Sequence, residues 1–167
     1  MPATYEPIAT TTLGSAASSI SFSSISSAYT DLRVVLVCQT ASNANIAFRL
    51  NSDTGTNYSY TLLYGTGTSA ASFRDTSITR GYIIAADNAA TSPNWNLCTM
   101  DIFSYAGSTN KTILTNGSND KNGSGTVEAA VNLWRNASAI NSVTLLAWNG
   151  VNFNTDTTAT LYGIKAA

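Results

Sequence analysis

Hydrophobic and polar residues alternate with a period of two along most of the chain. In "TVEAAVNLWR" (residues 126–135), one face carries Val127, Ala129, Val131 and Leu133, and the other carries Glu128, Ala130, Asn132 and Trp134. This pattern predicts a strand whose first set of side chains lies in the core.

The run "DLRVVLVCQ" (residues 31–39) is apolar on both faces, with Val35 and Val37 opposite Leu32, Val34 and Leu36. It predicts a central strand that is covered on both sides.

Similar runs predict strands over most of the remaining chain. They lie at residues 45–51, 58–65, 77–84, 96–103, 111–116, 142–148 and 159–165, with two weaker runs near 8–13 and 18–23. Between them, stretches such as "NSDTGTN", "GTGTS" and "NDKNGSG" supply the Gly, Asn and Asp typical of turns. The Ala-rich stretch at residues 85–95 is expected to be a loop because of Pro93 and its Asn residues.

The spacing of these strands, with no helical stripe between them, predicts an all-β fold. Antiparallel strands without crossover helices form a β-sandwich or barrel, and a two-sheet jelly roll accommodates this number of strands best. A chain of 167 residues suits one domain with its own core. We therefore expect an extended N-terminal arm at residues 1–13, followed by a single sandwich domain at residues 14–167.

Composition points to a folded protein with a polar but uncharged surface. Only 10% of the residues are charged, 44% are hydrophobic, and the formal net charge is −1. Eight scattered Lys and Arg residues form no stripe for a nucleic acid, and no apolar run is long enough to span a membrane. Weak repulsion between copies suits a protein that works inside an assembly.

The candidate chemistry is sparse. The sequence contains no histidine, which excludes Ser-His and Cys-His nucleophile pairs and removes the usual nitrogen ligand of zinc. Asp101 and Glu128 lie inside predicted strands and are expected to face solvent or an interface. We therefore expect no enzyme activity, no cofactor and no metal.

Three further motifs have simple interpretations. "DKNGS" (residues 120–124) resembles part of a calcium loop but lacks the second acid and the distal Glu, so it predicts a hairpin turn. Cys38 and Cys98 are expected to be two buried thiols, with a disulfide as the alternative. Trp95, Trp134 and Trp148 could stack on sugar rings, with Trp134 favoured because it lies on the predicted non-core face.

Both ends of the chain and one internal segment resemble a known family. "TTTLGSAASSISFSSISSAYTDLRVVL", "FRLNSDTGTNYSY" and "TATLYGIK" resemble small virion proteins of tailed bacteriophages, which look like jelly-roll modules. The resemblance implies either a capsid decoration (cement) protein or a component of the tail or tail fibre. It covers no motif between residues 73 and 136.

The short, single-module chain favours the decoration role over a fibre, which usually needs a shaft or an anchoring region. We expect a homotrimer on the capsid surface of the virion, made in the host cytoplasm, that binds between major capsid protein subunits and stabilises the head. The arm is the expected contact, through Tyr5, Pro7, Ile8 and Leu13. In the alternative, a tail or tail-fibre component binds host-surface glycans through Trp95, Trp134 and Trp148.

Overall fold

The computed structural model describes residues 4–84 and 93–165. Twelve strands are found there: β1 (Tyr5–Thr12), β2 (Ser19–Phe22), β3 (Asp31–Cys38), β4 (Ile46–Leu50), β5 (Tyr58–Gly65), β6 (Ala70–Ile78), β7 (Gly81–Ile84), β8 (Asn96–Ile102), β9 (Lys111–Asp120), β10 (Gly125–Trp134), β11 (Val143–Ala147) and β12 (Thr158–Ile164). No helix that could cross a membrane is found in this part of the chain.

The strands form two antiparallel sheets. The large sheet has the order β1-β12-β3-β8-β9-β10-β5-β6, and the small sheet has the order β2-β11-β4-β7. The prediction of an all-β antiparallel sandwich is confirmed, whereas the jelly-roll connectivity stays a prediction. Most of the predicted strands are present, but residues 70–76 were missed, and the predicted strand at residues 77–84 is divided between the end of β6 and β7.

The core lies between the inner face of the large sheet and the small sheet. In β3 and β8 the predicted inner residues are buried, as shown by Leu32, Val34, Leu36, Met100 and Ile102. The small sheet contributes further apolar side chains to the same cluster, among them Phe22, Phe48, Leu50, Val143 and Leu145. The period-two pattern therefore identified the core correctly on these strands.

The outer side of β3 corrects one prediction. β3 lies between β12 and β8, as expected for a central strand. Its outer face is not covered by the described residues, because Val37 is 38% exposed and Val35 is only partly buried. The second apolar face of this strand is instead part of an open sheet surface.

The prediction for β10 is wrong, because its two faces are reversed. Val127, Ala129 and Val131 are exposed and Leu133 is only partly buried, whereas Glu128 and Trp134 are buried. The opposite set, including Asn132, points into the core. The physical reason lies in the edge of β7, which rests on this part of the inner face and requires hydrogen-bond partners.

Polar side chains of the large sheet supply those partners. Asn132 Oδ1 accepts a hydrogen bond from the backbone N–H of Tyr82 at 2.8 Å, and Asn132 Nδ2 donates to the Tyr82 carbonyl at 3.1 Å. The Thr115 hydroxyl donates to the same carbonyl at 2.9 Å. Asn132 and Thr115 are buried because they complete the backbone hydrogen bonding of a strand in the other sheet.

The predicted N-terminal arm is largely a strand of the sandwich. β1 pairs with β12 from Tyr5↔Ile164 to Thr12↔Thr158, with an irregularity between Pro7 and Ala9. Ile8 and Leu13 pack against the main core. The segment therefore forms one edge of the large sheet.

The loop predicted at residues 85–95 lies mostly outside the described residues.

The two cysteines lie on the inner sides of β3 and β8. Both are buried free thiols, which confirms the prediction of two buried thiols. Burial, followed by a hydrogen bond with Cys98, raises the pKa of the Cys38 thiol well above its ordinary value.

Candidate functional site

The outer face of the large sheet combines apolar side chains with a shortage of charge. Six large hydrophobic residues on it are strongly exposed: Val37, Leu63, Leu97, Leu114, Val127 and Val131. Val127 at 68% and Leu63 at 61% are the most exposed of them. Together with Ala129, these residues are called the outer patch below.

Strand register places the outer patch in three rows. The first row runs Val37–Leu97–Ser118–Val127–Gly65, and the second runs Val35–Thr99–Asn116–Ala129–Leu63–Ser72. Neither row contains a charged residue. The third row runs Arg33–Asp101–Leu114–Val131–Thr61–Arg74, so its charges lie at its two ends. Arg33 Nε pairs with Asp101 Oδ1 at 3.4 Å.

The outer patch lies on a sheet surface as large as the patches that often have a function. Six strands spaced by about 4.8 Å and three rows about 7 Å apart give the rows, with their polar and charged positions included, an area of roughly 600 Å². The largest apolar patch of a typical monomer covers about 300–600 Å² and is often functional. A shallow groove of about 330 Å³ lies over the patch and is lined by Leu63, Leu114, Ala129 and Val131, among others.

On the outer face of the large sheet, the part formed by β1 and β12 is polar. The hydroxyls of Thr10 and Thr160 and those of Thr12 and Thr158 each lie 3.0 Å apart. The Tyr5 ring stacks on Tyr162 with centroids 4.6 Å apart. Threonine pairs and a tyrosine stack therefore flank the outer patch on this side.

The four residues predicted for capsid contact do not form one surface. Tyr5 is 43% exposed and Pro7 is also exposed, whereas Ile8 and Leu13 are partly buried against the core. Tyr5 and Pro7 are the two that a partner could reach. Sequence reasoning missed the outer patch because it placed Val127, Ala129 and Val131 in the core.

A polar cluster lies inside the sandwich beneath β10. The Tyr82 hydroxyl donates a hydrogen bond to Glu128 Oε2, and the Thr126 hydroxyl lies 3.5 Å from Glu128 Oε1. Burial, followed by the hydrogen bond to Glu128 and its charge, raises the pKa of Tyr82. The phenol therefore stays protonated as the donor to the buried carboxylate. The expectation that Glu128 faces solvent or an interface is wrong.

Glu128 and Asp101 do not form a pair of carboxylates. Glu128 points to the inner side of the large sheet, while Asp101 lies on the outer side beside Arg33. The two acids are separated by the sheet itself, so they cannot act on one bond as the acid and base of a glycosidase do. Among the described residues, no group of three or more Asp, Glu, Cys or His residues could hold a metal ion.

The segment at residues 120–124 forms the turn between β9 and β10, as predicted. The Asp120 carboxylate accepts a hydrogen bond from the backbone N–H of Asn122 at 2.7 Å. Asn122 and Gly123 both have positive φ, at 53° and 120°. The Asp side chain therefore stabilises a tight hairpin turn through its own backbone.

One of the three tryptophans is buried, and a second has an arginine stacked on its ring. Trp134 is fully buried and stacks on Tyr58 with centroids 6.4 Å apart, so its predicted exposure is wrong. The Arg80 guanidinium covers the Trp148 ring at 3.8 Å from its centroid. Trp95 is 39% exposed, and Trp148 is partly buried and lines an open surface pocket.

The buried Trp134 is held by the loop after β4. Its indole Nε1 donates to Asp53 Oδ2 at 2.7 Å, and Asn57 Nδ2 donates to the same oxygen at 2.9 Å. The backbone N–H of Gly55 donates to Asp53 Oδ1 at 2.7 Å. Burial pushes the pKa of Asp53 upward, but these hydrogen bonds outweigh it, and the net pKa lies below its ordinary value. The "NSDTGTN" segment is therefore a structural anchor.

No protein-family model matches this sequence, and no significant match is found among curated proteins or among solved structures.

Proposed function

We propose that this chain is a structural protein of a bacteriophage virion, and in particular a capsid decoration protein that binds major capsid subunits through the outer patch. The outer patch is the observation that carries this proposal. It lies within three rows of sheet surface that together cover roughly 600 Å², whereas a standard protein interface takes about 800 Å² from each partner. The polar threonine pairs beside it supply a rim of the kind that surrounds such interfaces.

The nearly uncharged surface suits a protein partner with an equally uncharged face. Two of the three rows of the outer patch contain no charge, so docking would desolvate few ions. A decoration protein binds the assembled shell and thereby stabilises it by mass action. In this function the chain performs no reaction and requires no cofactor.

The alternative role, a tail component that binds glycans, has less support. It relied on three stacking tryptophans, and Trp134 is buried while the Arg80 guanidinium already stacks on the Trp148 ring. The sequence resemblance is the same for both roles. Copy number separates them, because a decoration protein covers the shell and a fibre component is confined to the tail.

The test is the copy number of this chain in purified particles of the phage that encodes it. We expect hundreds of copies per particle by quantitative gel staining. A handful of copies would favour the tail role, and complete absence from the particles would overturn both virion roles.

A pair of variants then tests the docking surface. Leu63→Glu combined with Val127→Glu places two charges on the outer patch and should abolish binding to particles that lack the protein. Both side chains are more than half exposed, so the fold should tolerate the change. Ser23→Glu, at an exposed position after β2, is the control and should bind normally. Normal binding by the double variant would refute the outer patch as the capsid contact.

A further inference from the structure

The sandwich has four sheet edges, and three of them carry features that prevent further strand pairing. Natural proteins protect edges with proline, bulges, charges, very short strands or a covering element. β1 has Pro7 at an irregularity in its pairing and an ion pair between Glu6 and Lys165 at 3.0 Å. β2 is only four residues long.

β7 is protected in another way. It also has only four residues, and side chains of the large sheet bond to its backbone at Tyr82. Asn132 and Thr115 supply these bonds from β10 and β9. A further strand therefore has little free backbone to pair with at this edge.

β6 has fewer of these protections, since its charges are limited to Arg74 and Asp75 and the irregularity in its pairing lies near its end, at Ser77. It is nine residues long, it contains no proline or lysine, and seven of its residues are exposed. Within residues 4–84 and 93–165, only β5 pairs with it. The Thr76 N–H donates to Asp75 Oδ1 at 2.8 Å, and the far edge presents the remaining outward backbone N–H and C=O groups, which can accept another strand.

We propose that β6 pairs with β6 of a second copy of this chain, in antiparallel orientation about a two-fold axis at Phe73. This inference does not depend on the decoration role. The pairing would join the two large sheets into one continuous sheet. Such an interface is isologous: if one residue of the first copy contacts a second residue of the other copy, the reverse contact also forms.

The length of the regular section of β6 selects this register. Its regular section is Ala70–Thr76, because the pairing with β5 shifts between Thr76 and Ile78 and Ser77 has a positive φ of 55°. Phe73 is the centre of that section. A two-fold axis at Phe73 therefore uses the whole regular length, and an axis at Ser72 would shorten the overlap.

Charge disfavours the registers on the C-terminal side of Phe73. An axis at Arg74 or at Asp75 would place two like charges directly opposite each other, which destabilises a strand pair. With the axis at Phe73, Arg74 lies opposite Ser72 of the second copy and Asp75 lies opposite Ala71. The register with the longest regular overlap is thus also free of directly opposed like charges.

Phe73 itself suits the centre of such a contact. Its ring is 54% exposed at the end of the inner face, with its centroid 6.2 Å from that of Tyr60. Pairing would bring the two Phe73 rings together, and aromatic residues directly opposite each other are favourable cross-strand pairs. The contact would bury apolar surface that one copy leaves in water.

The first test is the mass of the purified full chain in solution. Sedimentation equilibrium from about 1 to 100 μM should give a monomer–dimer equilibrium between 17.5 kDa and about 35 kDa. A monomer over this whole range would overturn the proposal. A trimer, as expected from the sequence, would overturn it as well.

Charge variants then locate the contact. Phe73→Lys puts two ammonium groups opposite each other and should raise the dimer dissociation constant by roughly tenfold or more. Ser72 is exposed and would lie opposite Arg74 of the second copy. Ser72→Lys should therefore also raise the dimer dissociation constant. It serves as a second variant in case Phe73→Lys does not fold. Val127→Lys on the outer patch is the matched control and should leave the dimer intact.

The pattern of these results decides the proposal. A dimer that survives Phe73→Lys and Ser72→Lys but is lost in Val127→Lys would place the contact on the outer patch and overturn pairing at β6. Cross-linking of Phe73→Cys by a short bismaleimide should give a dimer in high yield. Ser23→Cys should give little, and equal yields from both would contradict the register.

Discussion

Asp53→Asn tests whether a single half-buried carboxylate anchors Trp134. The carboxylate accepts three hydrogen bonds, two at Oδ2 from Trp134 and Asn57 and one at Oδ1 from Gly55. An amide in the same place has one acceptor oxygen and an NH₂ group that can only donate. Whichever way it is turned, its NH₂ group must face at least one N–H donor.

The expected cost follows from that conflict. Leaving a buried donor without an acceptor costs about 1–3 kcal/mol, and hydrogen bonds to charged groups are at the strong end of the range. Since Asp53 is only partly buried, we expect a loss of about 1–2 kcal/mol in the free energy of unfolding. For a chain of this size, that corresponds to a fall in Tm of roughly 2–8 °C.

The effect should depend on pH. The pKa of Asp53 is lower in the folded protein than in the unfolded chain, so its stabilisation is present at neutral pH and is lost as the pH falls through the folded pKa. Urea unfolding should therefore give a difference between wild type and Asp53→Asn that is full at pH 7. The difference should begin to shrink below about pH 4, where the unfolded carboxyl becomes protonated, and should be lost once the folded carboxyl is protonated as well.

Two controls make the result specific. Asp120→Asn, at an exposed turn position, should change the free energy of unfolding by no more than about 0.5 kcal/mol. Trp134→Phe removes the indole donor, so Asp53→Asn should cost less in that background than in wild type. If Asp53→Asn is as stable as wild type at pH 7, the anchoring role is refuted.

Three further predictions concern packing and the buried polar cluster, and all are measured by thermal or urea unfolding. Gly81→Ala should destabilise the fold by about 1–3 kcal/mol, because the new Cβ would lie 2.0 Å from the Phe48 ring, while Gly14→Ala, with open space around it, should be nearly neutral. Tyr82→Phe should cost about 1–3 kcal/mol because it removes a donor from the buried Glu128, and an unchanged Tm would contradict that role. Val131→Lys should change the free energy of unfolding by no more than about 0.5 kcal/mol, which the predicted core position for this residue would not allow.

Two edge segments of the large sheet were not predicted in full, each for its own reason. β6 was missed because "AASFRDTSI" has few large apolar residues and no clear alternation, consistent with a strand that is exposed on most of its length. The segment at residues 1–13 was predicted as an arm because it is extended and partly apolar. Whether such a segment pairs within the chain depends on the position of β12, which the sequence of the segment does not contain.

The sequence alone determined the fold class, most of the strands and the core of β3 and β8. Those features depend on local alternation, since side chains of successive residues point to opposite faces of a sheet. The same rule identified two sets of residues in β10 but could not choose the buried one. The more apolar set, with Val127 and Val131, was the reasonable choice by hydrophobicity.

The tertiary structure reversed that choice through hydrogen bonding. The edge of β7 meets the inner face of β10, and its unpaired backbone groups are satisfied by the Asn132 side chain, with Thr115 of β9 beside it. Because successive side chains of a strand point to opposite faces of the sheet, burying Asn132 places Val127 and Val131 on the outer face of β10. The outer patch therefore exists because a strand far along the chain needed polar partners inside the sandwich, and only the packing of the two sheets decides that.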